Sequence, residues 1–187
     1  EGVYDLLAGG SETGLQQSGG KRLKGGRITP VKYTLQCESA NVSSAAECNN
    51  LIRRGLACRT QHATLMNSRS SRSHAVFIIN LVQGQYGTDA TLNSTLHLVD
   101  LAGSERVRTS GTEGQRFEEL KAINLSLSSL GRCITALASR DRHIPYGDSL
   151  LTRLLQPALG GNCLTSMVVT ASSDLAHGAE SLSTLRF

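Results

Sequence analysis

Two polar loops, each joined to an apolar run, most constrain what this chain can fold into. The first loop spans residues 67–74 and precedes the apolar run 75–82, and the second spans 100–105 and follows the run 96–99. Short runs rich in Val, Ile and Leu are typical of strands. Serine hydroxyls and an aspartate can hold a hydrated Mg²⁺, and a glycine amide can closely approach a phosphate. The two loops therefore predict a site that senses the terminal phosphate of a nucleotide.

Each loop alone also fits an ordinary turn. Many strands end in an Asp followed by a Gly turn, and a serine-rich stretch is common in surface loops. Arg72 in the first loop and Glu105 in the second carry opposite charges. A bridge between them that forms only when both loops close would couple the nucleotide state to the shape of the protein.

Composition limits the class of protein. The 187 residues are 39% hydrophobic, which is enough for one domain with a core. No apolar run approaches the ~20 residues that span a bilayer, and no signal peptide is evident, so we expect an intracellular protein with no membrane partner. Five cysteines without a C-x-x-C pair favour reduced thiols over a zinc or disulfide framework. The net charge of +4 favours an acidic partner, whereas 4% aromatic residues and no Trp disfavour a base-stacking nucleic-acid surface.

Strand patterns occur along the whole chain. Residues 1–7 are typical of a strand that enters a turn, and residues 8–27, rich in Gly, Ser, Gln and Lys, predict a loop. Residues 28–36 predict a strand that Pro30 confines to a sheet edge. Further strands are predicted at 76–82, at 92–99 and, as a buried Val- and Thr-rich strand, at 164–171.

Helix patterns alternate with these strands. Ser44 and Glu47 have the spacing of a capping box, which predicts that a helix starts there. Residues 149–155 predict a short helix that ends before Pro157, and residues 180–187 begin another. The clearest helix has apolar residues at steps of three and four, namely Leu120, Ile123, Leu127, Leu130, Ile134 and Leu137. Strands mixed with helices predict an α/β class.

The two loop motifs, Asn67-x-x-Ser-Ser-Arg-Ser-His74 and residues 98–106 (Leu-Val-Asp-Leu-Ala-Gly-Ser-Glu-Arg), resemble switch I and switch II of kinesin motor domains. Further matching segments follow in the same order, at 123–127, 144–146, 151–155, 159–162 and 183–187. This resemblance, from about Val3 to Phe187, implies a kinesin-type P-loop NTPase fold, with a central mixed β-sheet flanked by helices. It also implies ATP hydrolysis coupled to microtubule binding and movement, with ATP and Mg²⁺ as cofactors and a location in the cytoplasm and cytoskeleton.

The resemblance also implies roles for individual residues. Arg72, Glu105 and Gly103 would be catalytic, with the Arg72–Glu105 bridge ordering the attacking water, and Asn124 would support switch II. Nucleotide and Mg²⁺ would be bound by Asn67, Ser70, Ser71, Ser73, Asp100 and Gly103, with Ser71 and Asp100 (through water) at the metal. Microtubule contacts would come from Arg106, Arg108, Lys121, Arg140, Arg142 and Arg153.

The chain departs from the kinesin pattern in two respects. It has no P-loop of the form G-x-x-x-x-G-K-[ST]; in the nearest segment, 14–22, the glycine-to-lysine spacing is one residue too long and Arg22 replaces the hydroxyl residue. We therefore expect residues 1–187 to be the C-terminal part of a single motor domain, without the N-terminal P-loop half and inactive alone. Leu125, Gly147 and Leu150 also stand where kinesins commonly have basic residues that face the microtubule.

Two other classes stay open at this point. One is a non-motile, kinesin-derived structural or adaptor component of a cytoskeletal assembly that lacks ATPase activity, which the missing P-loop favours and the intact switch motifs oppose. The other is a small GTPase, which shares the Asp-x-x-Gly motif, although no N-K-x-D motif for base specificity is present. The sequence leaves the oligomeric state open.

Overall fold

The structure is a computed structural model that describes residues 2–18, 32–65, 72–84, 86–87, 90–103, 115–160 and 162–185. Strands and helices are mixed along these residues, which confirms the α/β class. The strands are β1 (Val3–Asp5), β2 (Ser11–Thr13), β3 (Leu15–Ser18), β4 (Lys32–Leu35), β5 (Ala75–Gly84) and β6 (Thr91–Asp100). The helices are α1 (Ala45–Leu65), α2 (Gln115–Ala138), α3 (Leu150–Leu155) and α4 (Gly178–Leu185), with 3₁₀ turns at Tyr146–Asp148 and Leu175–His177.

Within the described residues the strands form three antiparallel pairs, β1 with β2, β3 with β4, and β5 with β6. The β5–β6 hairpin is the longest and confirms the strands predicted at 76–82 and 92–99. Its register pairs Ala75 with Asp100 at one end and Gly84 with Thr91 at the other. Gly87 in the connection has a φ of 78°, a left-handed conformation that glycine adopts at no steric cost.

The N-terminal strands correct one prediction. The loop predicted at 8–27 is wrong for residues 11–13 and 15–18, which form β2 and β3, and residues 19–27 lie outside the described part. Asp5 organises the turn before β2, since its Oδ1 accepts a hydrogen bond from Leu7 N at 2.9 Å and its Oδ2 accepts one from Glu38 N at 2.5 Å. The strand predicted at 28–36 is confirmed over β4, whereas residues 28–31 lie outside the described part.

Helix α1 begins as its sequence predicts. The backbone N–H of Glu47 donates to Ser44 Oγ at 3.2 Å, and Glu47 Oε2 accepts from Ser43 N at 2.8 Å. The return bond thus reaches one residue further back than in a standard capping box. Hydrogen bonds to the carboxylate from the backbone N–H of Ser43 and then from its hydroxyl hold the pKa of Glu47 below its usual value.

The core lies between α2, α3 and the loop after β6. The face of α2 predicted to be apolar is buried at Ile123, Leu127 and Leu130, which confirms the helix. Leu130 packs with Leu151, Leu155 and Leu159 in one cluster, and Ile123 and Leu127 pack with Ala102 in the other. Leu101 contacts both clusters and so joins the loop after β6 to the two helices.

Helix α3 starts at a complete capping box. Ser149 Oγ accepts from Thr152 N at 3.1 Å, and Thr152 Oγ1 accepts from Ser149 N at 3.1 Å. Both side chains are buried, and the helix ends before Pro157 as predicted. Within the described part of the chain, no helix has the length and apolarity that crossing a bilayer requires.

The buried strand predicted at 164–171 is wrong. These residues form no strand, and Leu164 and Val168 are almost fully exposed. The segment was predicted to be a strand because it is rich in Val and Thr. A strand forms only where a neighbouring strand provides backbone hydrogen bonds, and no strand in the described ranges pairs with this segment. Large apolar side chains are also exposed along the β5–β6 hairpin, namely Leu81, Val82, Leu92, Leu96 and Leu98.

Candidate functional site

The antiparallel register brings the described parts of the two polar loops, residues 72–74 and 100–103, to one end of the β5–β6 hairpin. Ala75, the first residue of β5, pairs with Asp100, the last residue of β6. The residues just before β5, Ser73 and His74, therefore lie at the same end of the hairpin as the residues that follow Asp100. The structure thus places Arg72, Ser73, Asp100 and Gly103 in the two segments that meet at this end. The other predicted members of the nucleotide and catalytic set lie outside the described residues, namely Asn67, Ser70, Ser71 and Glu105.

An arginine that the sequence did not single out ties the two segments together. Arg59 of α1 donates from Nη1 to Asp100 Oδ2 at 2.8 Å. It also donates from Nε to Ser73 Oγ at 3.2 Å and from Nη2 to the Ser73 carbonyl at 2.8 Å. The Arg59 side chain is 11% exposed and that of Asp100 is 71% exposed, so the guanidinium is held inside while the carboxylate faces solvent.

The donor set at this end fits a hydrated Mg²⁺. Mg²⁺ prefers oxygen ligands and keeps several of its waters, which a carboxylate accepts well. Asp100 offers an exposed carboxylate, and Ser73 offers a hydroxyl beside it, both oriented by Arg59. The guanidinium offsets the charge of Asp100, so the site is less negative than the carboxylate alone would make it.

The segment nearest to a P-loop is used differently. Residues 15–18 form β3, and their register pairs Leu15 with Leu35 and Ser18 with Lys32. A phosphate-binding loop needs several backbone N–H groups turned toward one point, whereas an antiparallel ladder directs them alternately to either side. This part of 14–22 is therefore a strand and not a cradle for phosphate.

His74 connects the loop after β6 to helix α2. The backbone N–H of Ala102 donates to His74 Nδ1 at 3.0 Å, and His74 Nε2 lies 2.7 Å from Ser126 Oγ. Ser126 Oγ in turn donates to the carbonyl of Ile123 at 2.7 Å. Ser126 is 2% exposed, so its hydroxyl depends on these protein partners. The network joins both loop segments to one turn of α2.

Asn124, predicted to support switch II, has an exposed side chain on α2. Its carbonyl accepts a hydrogen bond from Ser128 Oγ at 2.7 Å. Ile123, Leu127 and Leu130 of α2 pack against the loop after β6, and Ser126 contacts His74 before β5. A role for the Asn124 side chain therefore stays a prediction.

The residues predicted to face the microtubule divide into three groups. Lys121, Arg140 and Arg142 are exposed. Arg153 instead donates from Nε and Nη2 to the Gly147 carbonyl, at 3.1 and 2.7 Å, and its guanidinium lies 5.7 Å from the centre of the Tyr33 ring. The last group, Arg106 and Arg108, lies outside the described residues.

Contacts beneath this surface fix the segment between α2 and α3. Tyr146 donates from its hydroxyl to the Leu159 carbonyl at 2.5 Å, and burial raises the pKa of Tyr146. Cys133 of α2 is fully buried, and burial also raises the pKa of its thiol. Arg132 pairs with Asp148 at 2.9 Å across the same junction. These contacts hold the 3₁₀ turn at 146–148 against α2.

Comparison with known proteins identifies the family. A family model described as the kinesin motor domain matches residues 1–187. Kinesin heavy chain isoform 5C of Homo sapiens is 47% identical over 158 residues, which are 84% of this chain and 16% of that protein. Kinesin-like protein 3 of Schizosaccharomyces pombe is 44% identical over 156 residues, which are 83% of this chain and 28% of that protein.

Solved structures agree. A fast kinesin, described for its ATPase mechanism and interactions with microtubules, matches with a TM-score of 0.77 and 40% identity over 100% of this chain. The motor and motor homology domain of Kar3Vik1 matches with a TM-score of 0.76 and 36% identity, also over 100% of this chain. The chain covers 51% and 47% of these two structures, about half of each. The chain belongs to the kinesin motor domain family, which confirms the resemblance seen in its switch motifs.

Proposed function

We propose that the protein containing this chain is a microtubule-based motor that hydrolyses ATP with Mg²⁺, and that residues 1–187 are the C-terminal part of its single motor domain. One observation carries the proposal: the switch I and switch II segments meet at one end of the β5–β6 hairpin, where Arg59 joins Ser73 to Asp100. The chain covers about half of two solved kinesin structures, which supports the proposal that it is only part of a motor domain.

Bound Mg·ATP would supply the phosphoryl group that is transferred to water. Asp100 would hold a water of the metal and Ser71 would reach the metal itself, while Asn67, Ser70, Ser73 and Gly103 would lie around the phosphates. Arg72 and Glu105 would form the bridge that orders the attacking water. Catalysis of this kind rests on positioning and electrostatics and not on a covalent step.

The contacts between the loop after β6 and α2 support coupling to the track. Leu101 and Ala102 pack on the buried face of α2, while Lys121 near the start of that helix and Arg140 and Arg142 just beyond its end are exposed. A basic surface steers an acidic partner such as tubulin by long-range attraction. A change at the nucleotide would thus reach the surface that binds the microtubule, and we place the protein in the cytoplasm on the cytoskeleton.

The direct test measures ATP hydrolysis by the full-length protein with and without microtubules. Stimulated hydrolysis is expected, and Arg72→Ala or Glu105→Ala should abolish it while nucleotide binding persists, because the bridge acts on the transition state. Arg54→Ala, at an exposed position of α1, is the control. A full-length protein that binds microtubules without hydrolysing ATP would instead be a non-motile structural component.

A second test addresses the microtubule surface through its missing basic residues. Exposed charge pairs contribute ~0.2–1 kcal/mol each, so Leu125→Lys, Gly147→Arg and Leu150→Lys together should strengthen microtubule affinity by about 0.6–3 kcal/mol. Leu125 is 50% exposed, and a Cβ at Gly147 meets no atom within 4 Å, so two of the three changes are sterically free. Co-sedimentation across a salt series measures the gain, and unchanged affinity would remove these positions from the interface.

A further inference from the structure

We propose that His74, in its Nε2–H tautomer, is a positioning residue that transmits movements of the loop after β6 to helix α2. The inference rests on the proposed motor function and adds to it the residue through which the nucleotide site and the microtubule-facing helix are coupled. The proposed role requires no contact of His74 with nucleotide, metal or microtubule. It acts through Ala102 on one side and Ser126 on the other.

The hydrogen-bond directions fix the tautomer. A backbone N–H can only donate, so Nδ1 of His74 must be the unprotonated nitrogen that accepts from Ala102. The ring proton is then on Nε2, which donates to Ser126 Oγ. The hydroxyl hydrogen of Ser126 is free to donate to the Ile123 carbonyl. The four groups therefore form one chain in which each donor has its acceptor.

Burial makes this series of hydrogen bonds a mechanical link. Ala102 is 5% exposed, and Ser126 is nearly inaccessible, so water cannot readily replace a lost partner. When the loop after β6 moves, either the imidazole follows Ala102 and displaces Ser126, or the hydrogen bond between the Ala102 N–H and His74 Nδ1 breaks. Leu101 packs against both core clusters and moves with the same loop. A displacement at the end of β6 is thus passed to the turn of α2 at 123–126.

Two substitutions separate this role from general support of the fold. His74→Asn keeps an oxygen near the position of Nδ1 that can accept from the Ala102 N–H, but the shorter side chain cannot form the hydrogen bond that Nε2 makes with Ser126. Ser126→Ala removes the other side of the same contact. The control is Ser129→Ala on the same helix: Ser129 is also buried and donates to the Leu125 carbonyl at 2.7 Å, and its hydroxyl accepts from Arg132 at 3.0 Å instead of from His74.

The readout is the ratio of ATP hydrolysis with microtubules to hydrolysis without them, in the full-length protein. Allosteric couplings are typically about 5- to 150-fold, so we expect Ser126→Ala to lower the ratio at least about fivefold and Ser129→Ala to leave it near that of the parent protein. In the His74→Asn background, Ser126→Ala should have no further effect, because the contact is already gone. Thermal melts of all variants show whether the ratio merely follows stability.

A second measurement reads the ring itself. ¹⁵N NMR of the histidine-labelled protein should show the Nε2–H tautomer for the signal that disappears in His74→Asn. The inference would be overturned if the ring carried its proton on Nδ1, or if the effects of His74→Asn and Ser126→Ala added in the double variant. It would also be overturned if Ser126→Ala and Ser129→Ala lowered the hydrolysis ratio equally. A parent protein without microtubule-stimulated hydrolysis would instead overturn the proposed motor function, and the coupling role with it.

Discussion

Arg59 should stabilise the candidate site mainly through Ser73 and only secondarily through Asp100. Arg59→Met keeps the aliphatic stem and removes the guanidinium, and with it the contacts to Ser73 and Asp100. The pair with Asp100 involves a largely exposed carboxylate, and such pairs contribute ~0.2–1 kcal/mol. The two bonds to Ser73 come from a charged donor whose side chain is 11% exposed, while Ser73 itself is exposed; bonds to charged groups contribute roughly 1.5–3 kcal/mol each before this exposure and the cost of burying the charge reduce the value.

We therefore expect Arg59→Met to lower the free energy of unfolding by about 2 kcal/mol, since the bonds and the cost of burial partly cancel. Asp100→Asn should lower it by less than about 1 kcal/mol, and that smaller loss should vanish at high salt. Urea unfolding of the full-length protein at two salt concentrations measures both changes. Arg54→Met, at an exposed position of the same helix, is the matched control. The reasoning would be refuted by equal losses for Arg59→Met and Asp100→Asn, or by a loss for Arg59→Met no larger than that of the control.

Three further predictions concern the fold. Gly160 has a φ of 95°, and a Cβ there would lie 3.0 Å from Leu137 Cδ2, so Gly160→Ala should lower the free energy of unfolding by about 1–3 kcal/mol. Gly147→Ala is the control, because a Cβ at Gly147 would meet no atom within 4 Å, and it should leave the stability unchanged. Urea unfolding compares the two variants. The lowered pKa of Glu47 means that its contribution is complete above the unfolded pKa and is lost as the pH falls through the folded pKa. Glu47→Gln should therefore lower stability at neutral pH and flatten its acid dependence, as melts between pH 3 and pH 7 would show, and an unchanged acid limb would contradict this. Residues 1–187 alone should self-associate through the exposed apolar side chains of β5 and β6, and a monomer with a cooperative melt in sedimentation and calorimetry would count against it.

The sequence predicted those elements whose signal lies in their own residues. Helix α2 was predictable because its apolar positions recur along one face, and the structure buries Ile123, Leu127 and Leu130 of that face. The start of α1 was predictable because Ser44 and Glu47 are local capping partners. The β5 and β6 strands were predictable from the apolar residues concentrated at 75–82 and 96–99, on either side of a glycine-containing turn.

What the sequence did not predict depends on contacts between distant residues. Strands β2 and β3 are short and polar, so their composition indicated a loop, and only pairing with β1 and β4 makes them strands. Arg59 has no local feature that distinguishes it from Arg53 or Arg54, because its partner Asp100 is 41 residues away. Ser126 did carry a signal: it lies three residues after Ile123, on the inward face of α2, where a polar side chain needs a buried partner.

The two unpredicted links bear on how the site works. Arg59 anchors Asp100, at the end of β6, to α1 and to the segment that enters β5. His74 anchors Ala102, two residues later, to α2. Residues 100–102 are therefore held from both sides, by a charged contact whose carboxylate is open to solvent and by a neutral contact that is partly buried. Since an exposed ion pair is the weaker of the two, a change in the metal and phosphates that we propose at Asp100 is expected to release the Arg59 pair first. The buried link through His74 would survive, and the released loop would carry α2 with it.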